Sequence, residues 1–561
     1  MTITTTLPPL APPSPKARTK RAVQLNPVIA EAAKSGCLAL GTLDNLVSAA
    51  GIKLRCATAP VILLTPHNPL RAPKTRPLPQ FEGGEHTAIG DSVLLHFSDS
   101  VPAQPAWKVK LGLPNGLALT YGQIVSLGGD FYGIPSAPIS DGATADERKT
   151  RFTNAYNTLA VAPAAVTEAP KILAVMREEI AAVNQALAAG LPASAAYKKL
   201  GDTLSAKWNV ITGGGSFISD WYPMGRYLQL SAKNWDHFGK WAALAYEAGH
   251  AVAIKQALDA SRAPPAQRRK LLDWAYAMNA FADHFLTDLF SAGHIRTPRK
   301  QLHDAVSPSE AGALLSRYMH DEDCLWGLAV TNQNGNRWRT YGDKRYFDTV
   351  DVSNKAQVDI AVQESVNEVY LAFSRGEAPV GYAALRRVAD LAVVSDRSRA
   401  LDLGNVSPLF AWNGSTVLKR DEINDLNDYS WTDDWWGWSA LALLKRTYAP
   451  AAPQGYQEAP ATAPVIVAWS ANQSVPPRWV AGVAVSYAVS FVGKLYESAA
   501  GPWGAGATVG ASQAYPTLGA VPTGPAGTVA RRLYRRFQGQ PYAYVGQIPD
   551  NVTTTFTDRT P

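Results

Sequence analysis

The stretch Phe281-Ala-Asp-His-Phe-Leu-Thr-Asp-Leu-Phe-Ser-Ala-Gly-His294 decides how this chain is read. Its apolar residues recur at helical spacing, and on a helix His284 and Asp288, four apart, share one face about a turn from each other. His294 follows six residues later, just past Gly293, where a helix end can turn it back toward the same place. A His-x3-Asp pair alone fits a surface pair or a helix cap as well as a metal site. The neighbourhood adds weight. Of nine histidines, six fall between 237 and 320: His237, His250, His284, His294, His303 and His320. Asp220 precedes them in SFISDWYP, and Asp321, Glu322 and Asp323 directly follow His320. Imidazole and carboxylate without thiolate form a donor set suited to zinc.

Working outward, the pattern over 81–448 is mainly helical. Ala165–Ala188 repeats apolar residues every three or four positions, and 234–260 and 265–290 read as two long helices joined by a turn, with Pro264 and Pro265 suited to a helix start. Further helices are expected over 308–326, 354–376 and 381–397. If 234–260 is one helix, His250 lies about 140° around the axis from His237 and faces elsewhere. Asp236, Asp283 and Asp321 have solvated helix-surface positions as their plainer reading, with a supporting role toward the histidines as the alternative. Residues 449–464, rich in Ala and Pro, read as a linker. Over 465–561 the period changes to two, in VIVAWS, AVSYAVSFV, ARRLYRRF, YAYVGQI and TTTFTD, which predicts a small all-β sandwich. The arginines of ARRLYRRF suit a protected edge strand.

Residues 1–80 form a Pro-rich basic extension with ten Lys or Arg against Glu31 and Asp44; the whole chain of 561 residues carries +7. Such a segment is most simply a solvated tail, and anionic lipid or nucleic acid is its alternative partner. With 46% hydrophobic residues the chain as a whole is globular. Three cysteines exclude a disulfide scaffold, and no run of 18 apolar residues suggests a spanning helix. The start shows no standard secretory signal, so localisation stays open, with a dedicated secretion system as one route. There is no HExxH, the GGGSFI run lacks the last glycine of a nucleophile elbow, and no Lys-Ser/Thr follows it as a phosphate loop requires.

The order Asp220, His237, His284-x3-Asp288-x5-His294, then His320 followed by acids, resembles the zinc-dependent phospholipase C family, which shares its helical fold with the single-strand-specific zinc nucleases. The stretches His320–Asp323, Gly327–Trp338 and Thr340–Asp343 are similar to its phosphatidylcholine-cleaving branch known from Pseudomonas and Legionella. The resemblance covers roughly 81–400. It implies two or three zinc ions, with Asp220, His237, His284 and Asp288 around one, His294 and His320 with Glu322 or Asp323 around another, and His86, with Asp130, in place of the family's N-terminal Trp site. Cys324 stands where the family has a carboxylate. Asp220 or Glu322 would orient or deprotonate the attacking water. The implied activity is hydrolysis of a glycerophospholipid, phosphatidylcholine foremost, to diacylglycerol and the phosphorylated head group. A peripheral membrane contact goes with it, and nucleic acid is not the expected substrate. The alternatives are a single-strand nuclease and a non-catalytic surface-binding protein. The C-terminal strands resemble fibronectin type III modules.

Overall fold

The computed structural model describes residues 83–201, 203–215, 224–307, 309–471 and 479–560, with backbone alone at 53–54 and 62–63. Asp220, with Phe217, Trp221 and Tyr222, lies outside the described residues, as does nearly all of the basic extension. The chain is mainly helical, with small antiparallel sheets mostly toward its C-terminus. Among the described residues no single helix is long and apolar enough to cross a membrane; helices 145–160 and 165–188 reach that measure only as a pair bent by 83°. By contacts it divides into two units. The first comprises 1–176, 202–343 and 357–451; the second comprises 177–201, 344–356 and 452–561.

In the first unit, α1 (Gly83–Asp91), α2 (Tyr121–Leu127), α3 (Gly239–Arg262), α4 (Pro265–Asp288) and α5 (Ser309–Trp326) position the site. The two long helices α3 and α4 fold back on one another across Ala263 and Pro264. Pro265 opens α4, where its missing N–H leaves no bond unmade. Small residues bring neighbours close: a Cβ on Gly249 would stand 2.3 Å from the Phe152 ring and 2.7 Å from Ala282. α2 starts on a capping box in which Thr120 accepts from Gln123 N–H and the Gln123 side chain accepts from Thr120 N–H.

The helix expected over 234–260 begins only at Gly239, whose φ of +48 breaks the run after a 3-10 turn at Trp235–His237. His237 therefore sits ahead of α3 rather than on it. The helix expected over 381–397 is likewise divided, into Ala383–Arg387 and Leu391–Val394, the second capped by Asp390. At the other end of the site, Gly327 at φ +70 terminates α5. A hairpin follows, β1 (Leu328–Thr331) and β2 (Arg337–Thr340), and hands the chain to Tyr341-Gly342-Asp343. A Cβ on Gly342 would lie 2.0 Å from Cys324 Sγ, so only glycine lets this loop rest on α5. Leu315 and Met319 of α5 pack in a cluster with Phe410, Trp438 and Leu441.

The second unit holds β3 (Val465–Ala471), β4 (Ala484–Gly493), β5 (Ala507–Thr508), β6 (Gln513–Gly519), β7 (Thr528–Phe537), β8 (Ala543–Ile548) and β9 (Phe556–Thr557). They form two antiparallel sheets, β3-β6-β9 and β5-β4-β7-β8, over a shared core that includes Val485, Tyr487, Leu518, Leu533 and Ile548. β7 is an inner strand between β4 and β8, not an edge. Its arginines have internal partners: Arg531 with Asp550, Arg532 with Glu497 and Arg535 with Asp558.

Candidate metal centre

Seven of the histidines and acids singled out in the sequence, His86, Asp130, His237, His284, Asp288, His294 and His320, come together in the first unit, joined by Asp343. Four overlapping groups have ligand atoms within 4.8 Å of one another: His86, His284 and Asp288; Asp130, His237 and His284; His237, Asp288 and His294; His294, His320 and Asp343. All of these side chains are buried except Asp130, which is partly exposed.

Local structure fixes how each imidazole is presented. His284 Nδ1 lies 2.9 Å from the carbonyl oxygen of Val125, near the end of α2. His294 Nδ1 lies 3.0 Å from the carbonyl oxygen of His237. A carbonyl only accepts, so both Nδ1 atoms carry the proton and each Nε2 keeps the lone pair that a metal would use. His237 presents Nδ1, at 3.2 Å from His284 Nε2 and 2.9 Å from Asp288 Oδ2. His320 Nδ1 is held by Asp321 at 3.0 Å, and its Nε2 faces Asp343 Oδ2 at 3.1 Å. Ser291 Oγ donates to the other oxygen of Asp343 at 2.6 Å. The 3-10 turn bearing His237 is anchored by Asp236, which accepts from Ile139 N–H at 2.5 Å, Ser140 N–H at 2.9 Å and the Ser140 hydroxyl.

Two glycines make room. Gly129, at φ +68, has no space for a Cβ, which would stand 2.4 Å from His284 Cδ2 and 2.9 Å from His237 Cε1. On Gly293 it would stand 2.5 Å from His320 Cδ2. Phe238 stacks on the His294 ring at 4.6 Å and covers one face of it.

Burial drives His237 down to about 3 and holds His86 and His284 well below the usual imidazole range, so these rings are in the neutral form that ligates. Burial pushes the Asp288 carboxyl up to about 8. At Asp343 burial also raises the carboxyl, but His320 and His294 outweigh it and hold it well below its ordinary value. His320 is raised well above its own: burial lowers it, and Cys324, Asp343 and Asp321 more than compensate.

Among the described residues nothing donates a hydrogen bond in good geometry to either oxygen of Asp288 or to Oδ2 of Asp343, although both residues are buried. Imidazole nitrogens approach these oxygens, His237 Nδ1 at 2.9 Å from Asp288 Oδ2 and His320 Nε2 at 3.1 Å from Asp343 Oδ2. Buried carboxylate oxygens without a donor are costly, and a shared divalent cation relieves that cost. The residues present fit a metal.

Glu322 and Asp323 are not in these groups. Asp323 forms a bidentate pair with Arg296 at 2.6 and 2.9 Å, and Glu322 one with Arg420 at 2.7 and 2.9 Å. Asp343, from the loop after β2, stands beside His294 and His320 in their place. Cys324 Sγ is 3.8 Å from His320 Nε2 and belongs to none of the groups. The surface reading of Asp236, Asp283 and Asp321 does not hold, since all three are buried. Asp283 accepts from Tyr121 at 2.6 Å and Ser365 at 2.7 Å. His250 faces away from the cluster, toward Asn279 at 2.5 Å and Glu368 at 2.9 Å. Asp343 could have been found from its place in Thr340–Asp343, one of the stretches carrying the family resemblance.

No family model and no curated protein matches this chain. The site therefore stands on its own geometry. Beside it opens a small, shallow cleft with His237 in its wall next to Tyr132, Pro135, Leu230 and Phe285.

Proposed function

We propose that this chain is a zinc-dependent phosphodiesterase of the phospholipase C type, cleaving a glycerophospholipid to diacylglycerol and the phosphorylated head group. The observation that carries this reading is the run of overlapping His/Asp groups linked through Asp288 and His294. A phosphodiester resists hydrolysis because its charge repels an incoming hydroxide. Zinc ions bound side by side would supply an acidified water and neutralise phosphoryl charge. Two or three ions suit the donors: His86 and His284 with one Asp288 oxygen, His294 and His320 with Asp343, and His237 with either Asp130 and His284 or Asp288 and His294. Backbone carbonyls hold His284 and His294 in the tautomer that turns an Nε2 lone pair outward, the form a metal needs. Asp130 is the partly exposed carboxylate of these groups and would serve as a ligand; Asp220 keeps the role of orienting or deprotonating the attacking water that the resemblance gives it. Glu322 is unsuited to that role, because Arg420 and Tyr448 occupy its oxygens. The mostly apolar cleft beside His237 suits the glyceride portion of a lipid. Such a substrate brings the chain into peripheral contact with a membrane surface.

The test is elemental analysis of the purified chain together with two assays: phosphocholine release from phosphatidylcholine and nucleotide release from single-stranded DNA. At least two zincs per chain with phosphocholine release is the expected result. Nucleotide release alone moves the reading to the nuclease branch. Less than one ion per chain and no hydrolysis makes the protein a non-catalytic binder.

A further inference from the structure

His86 on α1 reaches α4 through a side chain that no metal reading includes. Its Nδ1 lies 2.8 Å from Thr287 Oγ1, and both residues are fully buried. The Thr287 hydroxyl has one hydrogen, and that hydrogen is directed at the helix carbonyls, with Asp283 O at 2.9 Å and His284 O at 2.8 Å. Toward His86 the oxygen can therefore only accept. Nδ1 must carry the proton, which leaves the lone pair on Nε2, and Nε2 faces Asp288 Oδ1 at 3.7 Å. His284 and His294 owe the same arrangement to backbone carbonyls; His86 owes it to a hydroxyl.

We propose that Thr287 is a positioning residue that locks the tautomer of His86 and thereby sets the affinity of the ion held by His86, His284 and Asp288. This rests on the metal reading of the site but not on which substrate is cleaved. Thr287→Val keeps the shape of the side chain and removes the acceptor, whereas Thr287→Ser keeps the acceptor. After dialysis against a chelator of fixed strength, elemental analysis should show Thr287→Val about one ion per chain short of wild type. Its affinity for that ion should be weakened about 10–100-fold, the usual effect of deleting an outer-shell partner. Thr287→Ser should match wild type, and in a His86→Ala background Thr287→Val should cause no further loss. A folded Thr287→Val chain with wild-type ion count and affinity overturns the proposal, as does an added loss in the double variant. Should Thr287→Val not fold, nitrogen NMR of the wild-type His86 ring decides: a proton on Nδ1 supports the proposal and a proton on Nε2 overturns it. A wild-type chain that retains no ion at all overturns the metal reading itself, and this proposal with it.

Discussion

Asp343 Oδ2 stands 3.1 Å from His320 Nε2, whereas Asp323 has both oxygens on the guanidinium of Arg296. The two aspartates should respond differently to the same change. Asp343→Asn should lower the ion content by about one per chain, as measured by elemental analysis, and reduce phosphodiester hydrolysis at least about tenfold, as for loss of a supporting partner or worse. Asp323→Asn leaves Arg296 buried without its counter-charge, which costs about 3–5 kcal/mol in chemical denaturation. Its folded fraction should keep the full ion count; a missing ion in Asp323→Asn would return that residue to the ligand set. Helix geometry explains why the acids next to His320 were misleading. At about 100° per residue Glu322 points about 160° away from the His320 direction, and Asp323, only about 60° away, turns to Arg296 instead. The position that does return to that face, 324, is a cysteine. The carboxylate comes instead from twenty-three residues beyond His320, and only the β1–β2 hairpin and Gly342 close that gap.

Elements carry the site through their ends. α2 delivers Val125 O to His284 and leads directly into Gly129 and Asp130, so its N-terminal box holds a wall of the centre in place. Thr120→Ala should cost about 1 kcal/mol of stability, read from a denaturant midpoint, because the Gln123 N–H loses its acceptor. The arginine-rich strand β7 shows how charge can mislead about sheet position. Four arginines in eight residues fit an edge, yet β7 lies inside its sheet because Asp550, Glu497 and Asp558 are placed to meet three of them. Arg535→Ala should destabilise the chain by about 3–5 kcal/mol, since it strands the fully buried Asp558 carboxylate. A neutral result in a denaturation series would show that water or another donor reaches Asp558. Strand β6 is absent from the period-two stretches read in the sequence: it carries Pro516, which counts against a strand, and Tyr515 at φ +47, yet its burial alternates.

For the molecule as a whole, a buried cluster of carboxylates and imidazoles makes stability depend on the ions it holds. Stripping metal with a chelator should lower the thermal midpoint, and added zinc should raise it with concentration, because binding to the folded state alone stabilises by mass action. A midpoint indifferent to chelator and zinc would separate the cluster from metal. The second unit makes a different prediction. Val183, Leu187 and Tyr197 form a small core there with Tyr542 packed against it; the Tyr542 hydroxyl donates to Phe347 O and Trp503 Nε1 donates to Gly190 O. A chain ended at Ala451 removes those partners and should be less soluble than the full chain, as judged by sedimentation after mild heating.

Local spacing alone determined the helical character of 81–448, the period-two strands beyond 465, and the pairing of His284 with Asp288, because helix and strand periodicity are properties of neighbouring residues. The clustering of histidines pointed to His237, His294 and His320, and the family resemblance to His86. Only the tertiary structure decided that Asp343 faces His320, that Glu322 and Asp323 are neutralised by Arg420 and Arg296, and that 177–201 and 344–356 belong with the C-terminal strands. Each of those outcomes depends on which distant group reaches a buried charge or apolar face first, and chain spacing carries no record of that competition.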